Sequence, residues 1–147
     1  MRGRRKGPAA LKVGVDGSAT ARKAAEAARD LATALGATLH VVSAFDSDRS
    51  DVFGTASSKW LVSDADKAEH VARAVAETLG GDIKITYAAA SGRPADALIR
   101  EALSKEARLI VVGNRRMRGI GCALGSVANS VAHNAPCDVY IANTYDD

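Results

Sequence analysis

The spacing of hydrophobic residues along this chain changes repeatedly between the pattern of strands and that of helices. Short apolar and β-branched runs predict strands at 11–15, 38–45, 83–87, 109–112 and 137–143. Alanine-rich stretches with apolar residues three and four positions apart predict helices at 19–35, 63–79, 94–104 and 125–134. Strands and helices therefore alternate over almost the whole chain.

Residues at the predicted boundaries support these assignments. Ser18 has the side-chain oxygen that caps a helix start, and Gly36 suits the left-handed conformation that often ends a helix. Pro94 fits the first turn of the third helix, because the nitrogen there needs no hydrogen. Ser63 and Asp66 have the spacing of a capping box for the second helix.

One segment departs from the alternation. Residues 46–62 are mostly polar and irregular, and a loop of this length in a compact domain is usually a functional lid or a disordered segment. Phe53 and Trp60 lie within it. We expect these aromatic residues to dock the segment onto the body of the domain or onto a second copy.

The order of elements predicts the fold class. Strands that alternate with helices form a parallel sheet with helices on both faces. The uninterrupted apolar run at 109–112 is typical of a strand buried on both sides. We therefore predict an α/β domain with an open five-stranded parallel sheet of the Rossmann-like type.

Composition narrows the class of protein. The 147 residues fit one domain, and the net charge of +3 owes much to a basic stretch at 1–8, which we expect to be a flexible tail before a domain at 9–147. That mild charge, with few aromatic residues, argues against a nucleic-acid partner. Cys122 and Cys137 match no metal or disulfide pattern, and no apolar run is long enough to span a membrane. A cytoplasmic location is expected.

The richest chemical signal lies between residues 109 and 127. An apolar strand ends at Gly113, a basic loop with several glycines follows, and a helix begins near Gly125. A helix start presents free backbone N–H groups and a partial positive charge, which favour phosphate. Ligands of open α/β sheets bind beyond the strand ends where the strand order reverses, so Asp16 would face this loop if the first and fourth strands are neighbours.

At this point the chain resembles the universal stress protein family. The resemblance rests on Val13-Gly-Val-Asp-Gly-Ser18, Gly92-Arg-Pro94, Leu109-Ile-Val-Val-Gly113, Gly125-Ser-Val127 and Ala135-Pro-Cys-Asp-Val139. It implies the strand order 3-2-1-4-5, which places the first and fourth strands side by side. It also implies a homodimer formed through the C-terminal strand and a site for ATP, with Mg²⁺, or for cAMP or another adenine nucleotide.

The chain departs from the ATP-binding pattern of the family, in which a glycine, two residues, a second glycine and nine residues precede Gly-Ser or Gly-Thr. Arg116 replaces the second glycine, and the spacing to Gly125 is one residue short. Gly119 and Gly121 offer similar backbone freedom nearby, and the arginines of the loop suit an anion. The expected nucleotide-binding residues are Val15, Asp16, Ala44, Gly113, Asn114, Arg115, Arg116, Gly119, Gly121, Gly125, Ser126 and Val127.

Two functions fit these observations. The first is a cytoplasmic, dimeric stress-response protein that senses or regulates by binding an adenine nucleotide, ATP before the others. The alternative is a dimeric interaction module of the same fold that has lost the nucleotide, which Arg116 favours. The motifs GxxxxGK[ST], GxSxG and HExxH are absent from the sequence, so we expect no enzymatic activity beyond slow ATP hydrolysis.

Overall fold

A computed structural model describes residues 9–46, 50–53, 60–114 and 124–144, with the backbone alone at 50–53 and 60–63. The strands in these ranges are β1 (Ala10–Gly14), β2 (Thr38–Phe45), β3 (Ser50–Phe53), β4 (Trp60–Ser63), β5 (Ile85–Ser91), β6 (Leu109–Asn114) and β7 (Asp138–Asn143). The helices are α1 (Ala19–Leu35), α2 (Asp64–Leu79), α3 (Pro94–Ser104) and α4 (Ser126–Asn134). The predicted tail at 1–8 lies outside the described residues.

The main sheet is parallel and has the order β5-β2-β1-β6-β7. Counted without the small β3–β4 sheet, this is the order 3-2-1-4-5 that the resemblance implies, and the prediction is confirmed. The chain leaves β1 toward β2 on one side, and β6 pairs with β1 on the other side. The reversal of strand order therefore falls between β1 and β6, where a ligand site is expected.

The ends of α1 follow the predicted capping chemistry. The Ser18 side-chain oxygen accepts a hydrogen bond from the Ala21 N–H at 3.1 Å. Gly36 ends the helix in the left-handed region at φ 62°, where a side chain would be strained. The N–H of Ala37 then bonds to the carbonyl oxygen of Ala32 at 2.8 Å, which satisfies one of the last helical carbonyls.

Helices cover both faces of the sheet and create two apolar layers. On one face, Leu11 and Val13 of β1 pack with the buried alanines of α1 and with α2. On the other face, Ile110 and Val112 of β6 pack with Leu98 of α3 and with α4. Small alanine side chains let α1 lie close to the sheet, which explains how a core with few aromatic residues is filled.

The prediction for 46–62 needs a correction. Within the described part of this segment, β3 and β4 form an antiparallel pair in which Phe53 is in register with Trp60. The two aromatic residues are therefore opposite one another in a two-stranded sheet and do not lie in an irregular loop. The segments 47–49 and 54–59 lie outside the described residues.

A buried lysine interrupts the apolar layer beneath α3. Lys12 of β1 is only 1% exposed, and it is in register with His40 of β2. Burial lowers the pKa of the Lys12 ammonium to about 8, although Glu101 of α3 partly opposes the shift. Burial, with Lys12 next in effect, lowers the pKa of His40 to about 4. Both faces of the sheet are covered, so the polar positions of β1 are buried as well.

His40 is anchored on its other side by Thr86 of β5. The distance between His40 Nδ1 and the Thr86 side-chain oxygen is 2.5 Å, whereas His40 Nε2 is buried without a hydrogen-bond partner among the described residues. A neutral imidazole is the form that suits this position, because burial disfavours the charged ring.

Among the described residues, no helix combines the length and the apolarity that crossing a membrane requires.

Candidate functional site

A cleft of about 220 Å³ opens at the carboxyl ends of β1 and β6, where the strand order reverses. Four parts of the fold contribute to its wall: the sheet, the start of α1, the start of α3 and the start of α4. The lining residues are Gly14, Val15, Asp16, Ser18, Thr20, Ala21, Val42, Ala44, Pro94, Leu98, Val112, Gly113 and Val127.

The lining of the cleft divides into a polar side and an apolar side. Asp16, Ser18 and Thr20 give the polar side its carboxylate and hydroxyl groups. Asp16 is exposed, and one of its carboxylate oxygens accepts a hydrogen bond from the Ser18 N–H at 2.9 Å. This bond fixes the turn between β1 and α1 and holds the carboxylate at the edge of the cleft.

The apolar side is formed by β2, β6, α3 and α4. Val42 and Val112 are almost completely buried, and Leu98 lies against the sheet between the cleft and the core. Val127, in the first turn of α4, completes this side. Such a lining, mostly apolar with a few polar groups, is typical of small-molecule sites.

Asn114 joins the end of β6 to the start of α4. The residue is 3% exposed, and its Oδ1 accepts a hydrogen bond from the Gly125 N–H at 2.9 Å. The Asn114 carbonyl oxygen also accepts a bond from the Thr144 N–H at 3.2 Å. Asn114 therefore links the end of β6 to the start of α4 and to Thr144, and is a positioning residue for α4.

The start of α4 has features of an anion-binding site. Gly125 is its N-cap residue and, as a glycine, has no side chain that could cap the N–H groups of the first turn, while the Gly125 N–H itself bonds to Asn114 Oδ1. The first turn has no acidic residue either. Backbone N–H groups at such a terminus lack acceptors within the helix and carry a partial positive charge.

Gly113 has a packing role in addition to its place in the cleft wall. A Cβ at this position would lie 2.9 Å from Thr144 Cγ2 and 3.2 Å from the Cβ of Ala24. Both distances are shorter than ordinary contacts, so a larger residue would push α1 and Thr144 away from β6. A glycine at the end of this strand is thus required by the fold, whether or not a phosphate is bound.

The predicted site residues fall into three groups in the structure. Five of them line the cleft: Val15, Asp16, Ala44, Gly113 and Val127. Three lie at the junction of β6 and α4 without lining it: Asn114, Gly125 and Ser126. The remaining four, together with the loop cysteine, lie outside the described residues: Arg115, Arg116, Gly119, Gly121 and Cys122.

Several lining residues were not predicted from the sequence. Ser18, Thr20 and Ala21 belong to the start of α1, and Pro94 and Leu98 to the start of α3. Their signal is positional: each follows a strand that ends at the same edge of the sheet. A search limited to glycine and phosphate motifs does not detect them.

Comparisons with known proteins agree with this geometry. The model of the "Universal stress protein family" matches residues 11–143. A universal stress protein of Thermus aquaticus, named from its position 3′ of a QAH/OAS sulfhydrylase, is 35% identical over 127 residues, which are 86% of this chain and 92% of that protein.

Solved structures show the same fold. A universal stress protein in complex with cAMP is 29% identical, with a TM-score of 0.68, and the match covers 93% of this chain and 98% of the other. A universal stress protein from Archaeoglobus fulgidus in complex with dAMP is 21% identical, with a TM-score of 0.61, and the match covers 90% and 96%. The five-stranded sheet, the cleft between β1 and β6 and the match over residues 11–143 lead to one conclusion: this chain belongs to the universal stress protein family.

Proposed function

We propose that the protein binds an adenine nucleotide in the cleft between β1 and β6 and acts as a cytoplasmic, homodimeric stress-response regulator. The observation that carries the proposal is that the apolar side of the cleft, the Asp16 carboxylate and the start of α4 surround one cleft. A base, a ribose and a phosphate need these three environments in this order.

The phosphate is assigned to α4 because the other helix starts at the cleft are less suitable. At α1, the Ser18 side chain already accepts the Ala21 N–H, and Asp16 adds a negative charge nearby. At α3, the first nitrogen belongs to Pro94, and Asp96 lies in the first turn. At the start of α4 the N-cap residue is a glycine, which has no side chain to cap the first turn, and that turn has no acidic residue, so this helix start attracts an anion best.

The relative solved with cAMP supports an adenine nucleotide as the ligand class. ATP remains our first prediction among these nucleotides, with Mg²⁺ bound to its phosphates. Mass spectrometry of the small molecules released from freshly purified protein tests the proposal directly. An adenine nucleotide in about equal amount to the protein is expected. Protein that carries none, and that binds neither AMP, cAMP nor ATP by calorimetry, would support the alternative, an interaction module of the same fold without a nucleotide.

Asp16 is proposed to accept a hydrogen bond from the ribose. If it bonds the 2′-hydroxyl, Asp16→Ala weakens AMP by about tenfold, as expected for a lost hydrogen bond to a charged group, and weakens dAMP much less. Asp16→Asn is the matched control, because its side-chain oxygen can still accept the Ser18 N–H. Equal losses for AMP and dAMP would show that Asp16 acts through the turn and does not contact the 2′-hydroxyl.

Substitutions at two positions test the proposed phosphate-binding site at the start of α4. Gly125 has φ −65°, and a Cβ there would lie 3.4 Å from Asn114 Oδ1, so Gly125→Ala should fold normally. We expect weaker nucleotide binding, because the methyl group narrows the approach to the first turn of α4. Arg116→Gly restores the second glycine of the family pattern and is expected to strengthen ATP binding. A clear loss would instead mean that the arginine holds the phosphates.

The homodimer is proposed to form through β7, an edge strand of the main sheet that exposes Tyr140 to 45%. An edge strand offers unpaired backbone groups to a second copy. The other edge strand, β5, exposes Tyr87 to 39% and provides a matched control. In analytical ultracentrifugation, Tyr140→Glu should weaken the dimer and Tyr87→Glu should not. The opposite pattern would assign the interface to β5.

A further inference from the structure

We propose that the contact between Gly14 and Leu98 sets the depth of the cleft on the side that receives the base and thereby controls nucleotide affinity. The inference rests on the proposed function, since it assigns the apolar side of the cleft to the base. It concerns two residues for which the nucleotide motif provides no role, one on β1 and one on α3.

Gly14 leaves a notch in the face of the sheet that α3 covers. It is in register with Val42 of β2, and the register of Val13 with Val111 sets Val112 beside it on β6. Val42 and Val112 are 2% and 4% exposed, so the notch lies between two buried valines. Because glycine has no side chain, α3 can approach the backbone of β1 directly at this position.

Leu98 fills the notch. A Cβ built on Gly14 would lie 2.8 Å from Leu98 Cδ1, 3.3 Å from Cγ and 3.4 Å from Cδ2. The first distance is too short for two carbon atoms, so a Cβ at residue 14 would force the end of the Leu98 side chain to move. Gly14 is not in the left-handed region, and close approach is therefore the reason for glycine here.

Leu98 is also part of the cleft wall, although only 2% of its surface is exposed. It lies one helical turn after Pro94, which lines the same cleft nearer the start of α3. The Leu98 side chain therefore forms the bottom of the cleft, which we call the floor, and a planar base would contact it. A methyl group on residue 14 would displace the flexible end of Leu98. Because Leu98 lines the cleft and the neighbouring Val42 and Val112 are buried, the proposal takes this displacement to be toward the cleft.

The test is a double-mutant cycle with AMP and cAMP as probes, measured by calorimetry. Gly14→Ala should weaken both nucleotides by roughly tenfold or more, because one methylene in a tight apolar pocket changes affinity by about that factor. The double variant Gly14→Ala with Leu98→Ala should recover most of this loss, since the added methyl then occupies space that Leu98 has vacated. Leu103→Ala is the matched control, because Leu103 lies on the same helix and is 60% exposed.

A second variant keeps the inference testable if Gly14→Ala does not fold. Leu98→Phe enlarges the floor from the α3 side and leaves β1 unchanged, and it should also weaken both probes by roughly tenfold or more. Folded Gly14→Ala or Leu98→Phe protein that binds both probes within threefold of the wild type would overturn the inference. So would a double variant as weak as Gly14→Ala alone. A wild-type protein that binds neither probe overturns the proposed function itself, which is a different result from tight wild-type binding with unchanged variants.

Discussion

Replacing the buried lysine of β1 by methionine should stabilise the protein. Lys12 is almost completely buried beneath α3, next to His40 and near Glu101 and Lys105. A buried charge is costly unless it is well paired, and apolar replacements of buried ionic groups are often neutral or stabilising. Methionine keeps an unbranched side chain of similar length and adapts well to irregular space.

The size of the effect follows from the lysine pKa. Burial lowers it from the ordinary 10.5 to about 8. Since one pKa unit corresponds to about 1.4 kcal/mol, the charged form is disfavoured in the folded state by roughly 3 kcal/mol. The lysine is charged in both states at pH 7, so the full penalty applies there. We expect Lys12→Met to raise the free energy of unfolding by about 1–3 kcal/mol, because imperfect packing of the new side chain offsets part of the gain.

The pH dependence identifies the cause. Between pH 8 and 10.5 the unfolded wild type binds more protons than the folded wild type, so its stability rises with pH as the Lys12 penalty disappears. The advantage of Lys12→Met should therefore be largest below pH 8 and nearly vanish at pH 10.5. Urea unfolding of both proteins at pH 7 and pH 10.5 measures it, with Lys84→Met as control, because Lys84 is exposed and does not act on the Lys12 pKa.

Two results would refute this reasoning. Lys12→Met that is no more stable than the wild type at pH 7 would show that the ammonium is fully compensated in the folded state. An advantage that persists unchanged at pH 10.5 would show that the gain comes from packing and not from the removed charge.

Three further predictions concern the core and the cleft. The pKa of His40 is lowered to about 4 in the folded protein, so the unfolded chain binds a proton more readily and the free energy of unfolding should decrease as the pH falls from 6.5 toward 4. In His40→Phe the urea midpoint should therefore decrease less over this pH range. Asn114→Ala leaves the part-buried Gly125 N–H without its acceptor and should lower the free energy of unfolding by about 1–3 kcal/mol, whereas Asn114→Asp should lose less. Gly113→Ala should lower the same free energy by about 1–3 kcal/mol through its clash with Thr144, and the added change Thr144→Ser, which removes the clashing methyl, should restore part of it.

The sheet and its helices could be predicted because local signals and the global fold agree. The alternation of apolar patterns gives the parallel architecture, and Ser18 and Gly36 mark the ends of α1 as the structure has them. The order of strands came from the resemblance, since no pattern within one chain states which strands are neighbours. The cleft at the reversal point then followed from topology alone.

Other features depend on contacts between distant residues and leave little trace in the sequence. The strands β3 and β4 have four residues each, and the sequence between them, residues 54–59, has no Asn-Gly or Asp-Gly pair, so their pairing has no local sequence signal. Lys12 occupies a polar position of an alternating strand, and only the helices on both faces make that position buried. The sequence pattern indicates a phosphate-loop glycine at Gly113, and the structure adds a second reason for glycine there, the close approach of Ala24 and Thr144.

A crystal structure of the protein grown with AMP tests the central proposal most directly. We predict the base on the apolar side of the cleft against Leu98, the ribose beside Asp16, and the phosphate within hydrogen-bond distance of the first-turn N–H groups of α4. A cleft filled by the protein's own side chains, or a nucleotide bound elsewhere on the molecule, would contradict the proposal.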